Sequence, residues 1–188
     1  MKAEQEKIVH SSFWTNIFNS PTEKAAFEQS LHSIPLFQSL RKRDLELLMK
    51  IIHNRSYVTG EIIFYQGDPG IGLYIIREGE VLIQRETDSI QKVNLATFSK
   101  GDFFGELALV DSEKRSASAI SKTDSRISVI FKPDLDEFIE RYPKKGIKIL
   151  NGISSIIAVR LRKLNEDYFA LLNKKLMSDE EVKNGNEN

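Results

Sequence analysis

The chain has 188 residues, 27 basic against 27 acidic side chains, and no cysteine. Balanced charge speaks against a general nucleic-acid binder, which presents a basic face, and the missing thiols exclude disulfides and thiolate metal sites. No apolar run approaches the ~18 residues that a membrane span needs, and the polar N-terminus lacks a signal-peptide pattern, so the expectation is a cytoplasmic protein.

Residues 1–34 read as an N-terminal helical extension. Phe13, Trp14, Ile17 and Phe18 fall on one helical face. Packing on the domain is favoured for this segment. A membrane or partner contact through Phe13–Phe18 is the sharper alternative, although the lysine-rich face that favours a membrane is missing. Ser20-Pro21-Thr22-Glu23 has the pattern of a capped helix start. That helix is predicted through about His32 and is ended by Pro35. Apolar residues at 45, 48, 49 and 52 predict an amphipathic helix over Leu40–His53.

From Arg55 the texture changes. Short β-branched and aromatic runs (SYVT, EIIFYQ, LYIIRE, EVLIQRE, KVNLATF, SASAIS, RISVIF) are separated by Gly60, Gly67-Asp68-Pro69-Gly70, Gly79, Asp88-Ser89 and Gly101-Asp102. Many short, regularly spaced strands predict an antiparallel jelly-roll. Gly79 stands where a tight turn needs positive φ. The fold class is therefore α+β: an antiparallel β-roll over residues 35–142, flanked by N-terminal helices and a long C-terminal helix. Pro133 opens a short helix that stops before Pro143. A long helix over 143–174 follows, with apolar residues at 150, 153, 157, 161, 164, 168 and 171. Their average step of about 3.5 suits a coiled coil, so the stripe serves either packing on the domain or a homodimer seam. Residues 175–188 have little to bury and are expected to be disordered.

The most suggestive constellation is Phe104–Ile120, FGELALVDSEKRSASAI. A short helical turn over Leu107–Val110 would offer unpaired N–H groups to an anion. Gly105 lets the backbone come close to a ligand. Arg115 supplies a permanent cationic fork suited to phosphate, and Ser116 adds a hydroxyl. Glu106 accepts hydrogen bonds but cannot donate when ionised, so it fits a sugar hydroxyl rather than a phosphate. The chemistry describes a ribose phosphate site. The competing reading is an exposed Glu106–Arg115 pair of little consequence.

The stretch GELALVDSEKRSASA resembles the phosphate-binding cassette of the cyclic nucleotide-binding domain family, and YVTGEIIFYQGDPGIGLYIIREGEVLIQ resembles the first strands of that family. The resemblance covers about residues 36–165. It implies that Glu106 binds the ribose 2′-hydroxyl and Arg115 the cyclic phosphate. Ser116 would add its hydroxyl, Gly105, Leu107 and Ala108 main-chain groups, and Ala117 completes the set. Lys114 stands where the family often has proline, which puts the rigidity of the loop in question. The family usually covers the base with the last helix, leaving Arg160, Arg162, Asn165 and Tyr168 as candidates. The implied ligand is cAMP in preference to cGMP. A polar tail follows the long helix, where the transcription-factor branch has a helix-turn-helix, so no DNA-binding module is expected. The implied role is a sensor acting on an unidentified effector protein. Phosphate capture would reshape the cassette, and a hinge near Tyr142-Pro143 would let the last helix close over the base.

Two other functions were weighed. A metal-dependent jelly-roll enzyme needs histidines on inner strands, but His10, His32 and His53 all precede the predicted strands. His53 reads as a capping or surface residue, no Ser-His-Asp grouping appears, and no enzyme, metal or cofactor is expected. The second alternative is a protein–protein interaction domain on the same fold with a non-binding pocket; Glu106 and Arg115 together argue against it.

Overall fold

The computed structural model describes residues 21–87, 91–111 and 113–185. The Phe13–Phe18 segment, the Ser20 cap and the Asp88-Ser89 turn lie outside the described residues. Among the described residues, two helices, α1 (Pro21–Ser33) and α2 (Lys42–Leu48), precede eight strands. These are β1 (Ile52–Tyr57), β2 (Ile62–Phe64), β3 (Gly72–Glu78), β4 (Glu80–Glu86), β5 (Lys92–Ser99), β6 (Phe103–Phe104), β7 (Ser118–Ser121) and β8 (Ser125–Phe131). Helices α3 (Lys132–Arg141) and α4 (Pro143–Gly185) follow. The strands form two four-stranded sheets, ordered β1-β8-β3-β6 and β2-β7-β4-β5, and every pairing is antiparallel. The expected antiparallel roll is present, and Gly79 turns between β3 and β4 at φ +87°.

Strand alternation sorts the side chains of the first sheet into two cores. Leu73, Ile75 and Ile130 face the helices and join Phe27, Leu31, Leu36, Phe37, Leu45, Leu135, Phe138, Ile149 and Ile153. Tyr74, Ile76, Ile127 and Val129 face the second sheet and pack with Val81, Phe104 and Ala119. At β3 and β8 the first sheet is thus buried on both faces and works as a shared wall between roll and helices.

Two boundaries differ from the sequence reading. The predicted Leu40–His53 helix stops at Leu48, continues as a 3-10 turn to Ile51, and gives way to β1. Leu45 and Leu48 satisfy the helical period, but Ile52 pairs with Ile130 on β8, and tertiary pairing overrides the local pattern. His53 therefore sits in β1 and caps no helix; its Nε2 lies 2.8 Å from Asp134 Oδ2 at the start of α3. At the other end, α4 continues past 174 to Gly185, where disorder was expected.

Helix α4 lies against the domain by a narrow contact. Ile149, Ile153 and Ile156 are buried, Lys148 Nζ donates to Ser39 O at 2.9 Å, and Lys145 pairs with Asp44 at 3.6 Å. A Cβ at Gly152 would lie 2.4 Å from Leu36 O and 2.8 Å from Leu36 Cα. Gly152→Ala would gain about 1 kcal/mol of helix propensity. Overpacking against backbone that cannot yield costs about 1–3 kcal/mol, so the steric term dominates. Denaturant unfolding is expected to show a net loss of up to about 2 kcal/mol; a gain in stability would contradict this packing.

Candidate functional site

The segment after β6 makes the site. Gly105 adopts φ +78°, ψ 18°, and starts a 3-10 turn over Glu106–Leu109. That left-handed conformation favours glycine, and a Cβ there would meet Arg115 Nη1 at 2.7 Å and Gly72 O at 2.9 Å. The turn is tied to the helices through Leu109, which is buried in the helical core with Ile149 and Ile153. Residues 113–115 then return along the 65–70 loop. Gly70 N donates to Glu113 O at 3.1 Å, Arg115 N to Asp68 O at 2.8 Å, and Gly67 N to Arg115 O at 2.9 Å. Pro69 and Lys114 form an antiparallel bridge. These main-chain bonds hold the loop at Lys114, where a proline would otherwise supply the stiffness.

Between this segment and the second sheet lies a cavity of about 390 Å³. Its walls bring together Gly105, Glu106, Leu107, Ala108, Arg115, Ser116, Ala117 and Arg160. Of the four candidates on the last helix, Arg160 alone lines it; Arg162, Asn165 and Tyr168 are exposed on α4 and absent from its lining. Helical spacing explains this: Arg160 lies four residues beyond buried Ile156, on the domain-facing stripe, whereas Arg162, two residues on, turns away. Sequence reasoning missed Phe64, Ile83, Ala96 and Phe98, the apolar wall from the strands, and the acids Asp111 and Glu113 at the rim. The strand residues carry no chemical signal of their own, and only the folding of the sheet brings them opposite the 105–117 segment.

The charged groups are buried, not an exposed pair. Glu106 is 3% exposed and Arg115 7%. Glu106 Oε1 accepts a hydrogen bond from Arg160 Nη1, and Arg160 Nη2 also donates to Phe103 O at 3.3 Å. Arg115 Nη2 donates to Gly72 O at 2.9 Å and Nη1 to Gly105 O at 3.3 Å. Its guanidinium carbon lies 4.2 Å from the Phe64 ring centre and 5.3 Å from that of Tyr74. The Arg115 Nε is buried with no hydrogen-bond partner. Burial pulls the Arg115 pKa down, and the neighbouring Tyr74 and Glu106 oppose that shift. The same burial raises the Tyr74 phenol. The acid of the site is therefore neutralised by α4, and the arginine is held by carbonyls and ring faces with spare donor capacity. Such a group calls for an anion.

Residues 54–142 match a family model described as the cyclic nucleotide-binding domain. The chain is 33% identical to the Cyclic AMP receptor protein of Thermus thermophilus over 150 residues, covering 80% of this chain and 65% of that one. It is 28% identical to a cAMP-dependent protein kinase regulatory subunit of Hypocrea atroviridis over 56% of this chain, but spans only 22% of that relative. The crystal structure of Thermus thermophilus Catabolite Activator Protein superposes with a TM-score of 0.66 at 33% identity, over 73% of this chain and 62% of that one. The chain therefore spans less than two thirds of these relatives. No described helix is long and apolar enough to cross a membrane.

The Gly70 contact offers a stability test of the loop. A Cβ at Gly70 would lie 2.4 Å from Glu113 O and 2.7 Å from Ala108 Cβ. Gly70→Ala is expected to lower unfolding stability by about 1–3 kcal/mol in denaturant titrations. Unchanged stability would show that the 113–115 arm is not seated on this loop.

Proposed function

We propose that this chain, a member of the cyclic nucleotide-binding domain family, is a sensor that binds cAMP in preference to cGMP and signals to an effector protein through α4. The observation that carries the reading is Arg115, a buried guanidinium with an unpaired Nε beside a cavity of about 390 Å³. The cyclic phosphate meets Arg115 and Ser116, with main-chain groups of Gly105, Leu107 and Ala108 and the small side chain of Ala117 beside it. The ribose 2′-hydroxyl donates to Glu106. The preference for cAMP is supported by the similarity to the Cyclic AMP receptor protein and to a cAMP-dependent protein kinase regulatory subunit.

The route to α4 starts at Glu106. Arg160 reaches Glu106 from α4, so the residue that would read the ribose also reads the position of the helix. A carboxylate has two oxygens and several acceptor sites, but a sugar hydroxyl at Glu106 changes the geometry left for Arg160. Ligand capture then biases α4 between two positions about the Tyr142-Pro143 hinge, a population shift set by differential contacts. The apolar residues Leu161, Leu164, Tyr168 and Leu171 are exposed, between 55% and 67% each. They lie at coiled-coil spacing on a face adjacent to the docked one, and we read them as a homodimer seam. The chemistry is recognition, not catalysis. An interaction domain with a non-binding pocket is the weaker reading, since burying a cation without an anion costs stability and brings no gain.

Arg115→Ala removes a charge-assisted contact and is expected to weaken cAMP binding by at least roughly 1.5–3 kcal/mol in calorimetry; unchanged affinity would remove the site assignment. Glu106→Ala is expected to weaken cAMP while leaving 2′-deoxy-cAMP nearly unaffected, and equal weakening of both would remove the ribose role. For the seam, Leu164→Glu is expected to shift the species seen in sedimentation equilibrium from dimer to monomer. A wild-type chain that stays monomeric at high micromolar concentration would rule the seam out.

A further inference from the structure

We propose that Phe64 is a positioning residue for the anion, its ring being the seat that holds the Arg115 guanidinium in place. The proposal rests on the reading of Arg115 as the phosphate ligand. It starts from an irregularity in β2. Ile62 pairs with Ile120 and Phe64 with Ala119, so two steps along β2 match one step along β7. That is a β-bulge with Ile63 as the extra residue. Without it, period-two alternation would send Phe64 to the same face as Ile62, which is 36% exposed. With it, Phe64 lies opposite Ala119, which is fully buried, and both Ile63 and Phe64 pack against the core between the sheets.

The bulge brings the Phe64 ring under Arg115, 4.2 Å from centre to guanidinium carbon. The ring is itself braced, tilted against Tyr74 at 5.3 Å and Phe104 at 5.9 Å, while Phe104 stacks on Tyr74 at 5.2 Å and on Phe98 at 6.0 Å. A guanidinium needs something to oppose its charge when it is buried. The nearest carboxylate, Glu106, is taken by Arg160. What remains for Arg115 is two carbonyl oxygens and the rings of Phe64 and Tyr74, of which Phe64 is the nearer. A ring face holds a cation without occupying its N–H donors, so the fork stays available to an incoming phosphate. A carboxylate in the same place would hold the arginine equally well and would compete with the ligand for those donors. Phe64 thus supplies preorganisation, which raises affinity by lowering the ordering cost of binding.

The test separates electrostatics from shape. Mono-, di- and trifluorinated phenylalanines at position 64 drain the ring's negative face while keeping its volume, and each full-length variant is titrated with cAMP and melted. Affinity is expected to fall stepwise, roughly three- to thirtyfold across the series, with little change in thermal midpoint. A flat series overturns the proposal. An independent readout needs no ligand: the Arg115 Nε–H proton is expected to be ring-current shifted in the free protein, and to move toward its ordinary position in Phe64→Leu, with the Tyr74 ring left in place. An unshifted proton also overturns the proposal. If the unsubstituted chain takes up no cAMP while the proton is shifted and responds to Phe64→Leu, the nucleotide reading fails and the seat stands.

Discussion

Arg115 is a permanent cation removed from water without a carboxylate of its own. Burying such a charge costs several kcal/mol even after relaxation, and the fold meets that cost only in part, with the Gly72 and Gly105 carbonyls and two aromatic faces. Much of the local architecture follows from this. Gly105 must lack a side chain, because a Cβ would strike Arg115 itself. The 67–70 loop must grip residues 113–115, because the guanidinium can be aimed only if its backbone is fixed. The Nε donor is left without a partner among the described residues.

The second charged pair does different work. Glu106 is fully withdrawn from solvent, whereas Arg160 is 43% exposed on α4. The pair therefore joins a fixed acid in the roll to a cation on an element that is only partly docked. Leu109 makes a parallel apolar connection, running from the same turn into the core beneath α3 and α4. The 105–109 turn is thus joined to the helical side of the molecule by one polar and one apolar connection. The buried apolar residues of α4 stop at Ile156, with Ile157 partly buried.

Legibility in the sequence followed the range of the physics. Local signals were plain: glycine-broken β runs specified the roll, and an acid, a glycine and an arginine at fixed spacing specified the pocket-lining segment. Arg160 stood in the sequence as one of four helix candidates, and only the docking of α4 through Ile149, Ile153 and Gly152 separated it from Arg162, Asn165 and Tyr168. The start of β1 was hidden because Ile52 continues a helical period while pairing with Ile130 some eighty residues away. Phe64 was hidden for a related reason. Alternation assigns it to solvent, and the bulge that reverses its facing is a property of the β2–β7 pairing. The main-chain bonds that flank Lys114 were hidden as well, because their partners in the 67–70 loop lie some forty-five residues earlier in the chain.

Whether the cavity beside Arg115 takes a cyclic nucleotide decides the function of the site. The most direct measurement is calorimetric titration of nucleotide-stripped protein with cAMP, with 5′-AMP as the open-chain control. Saturable binding of cAMP at one site per chain, tighter than that of 5′-AMP, is the expected result. The absence of heat at high micromolar cAMP, with the protein folded, would contradict it.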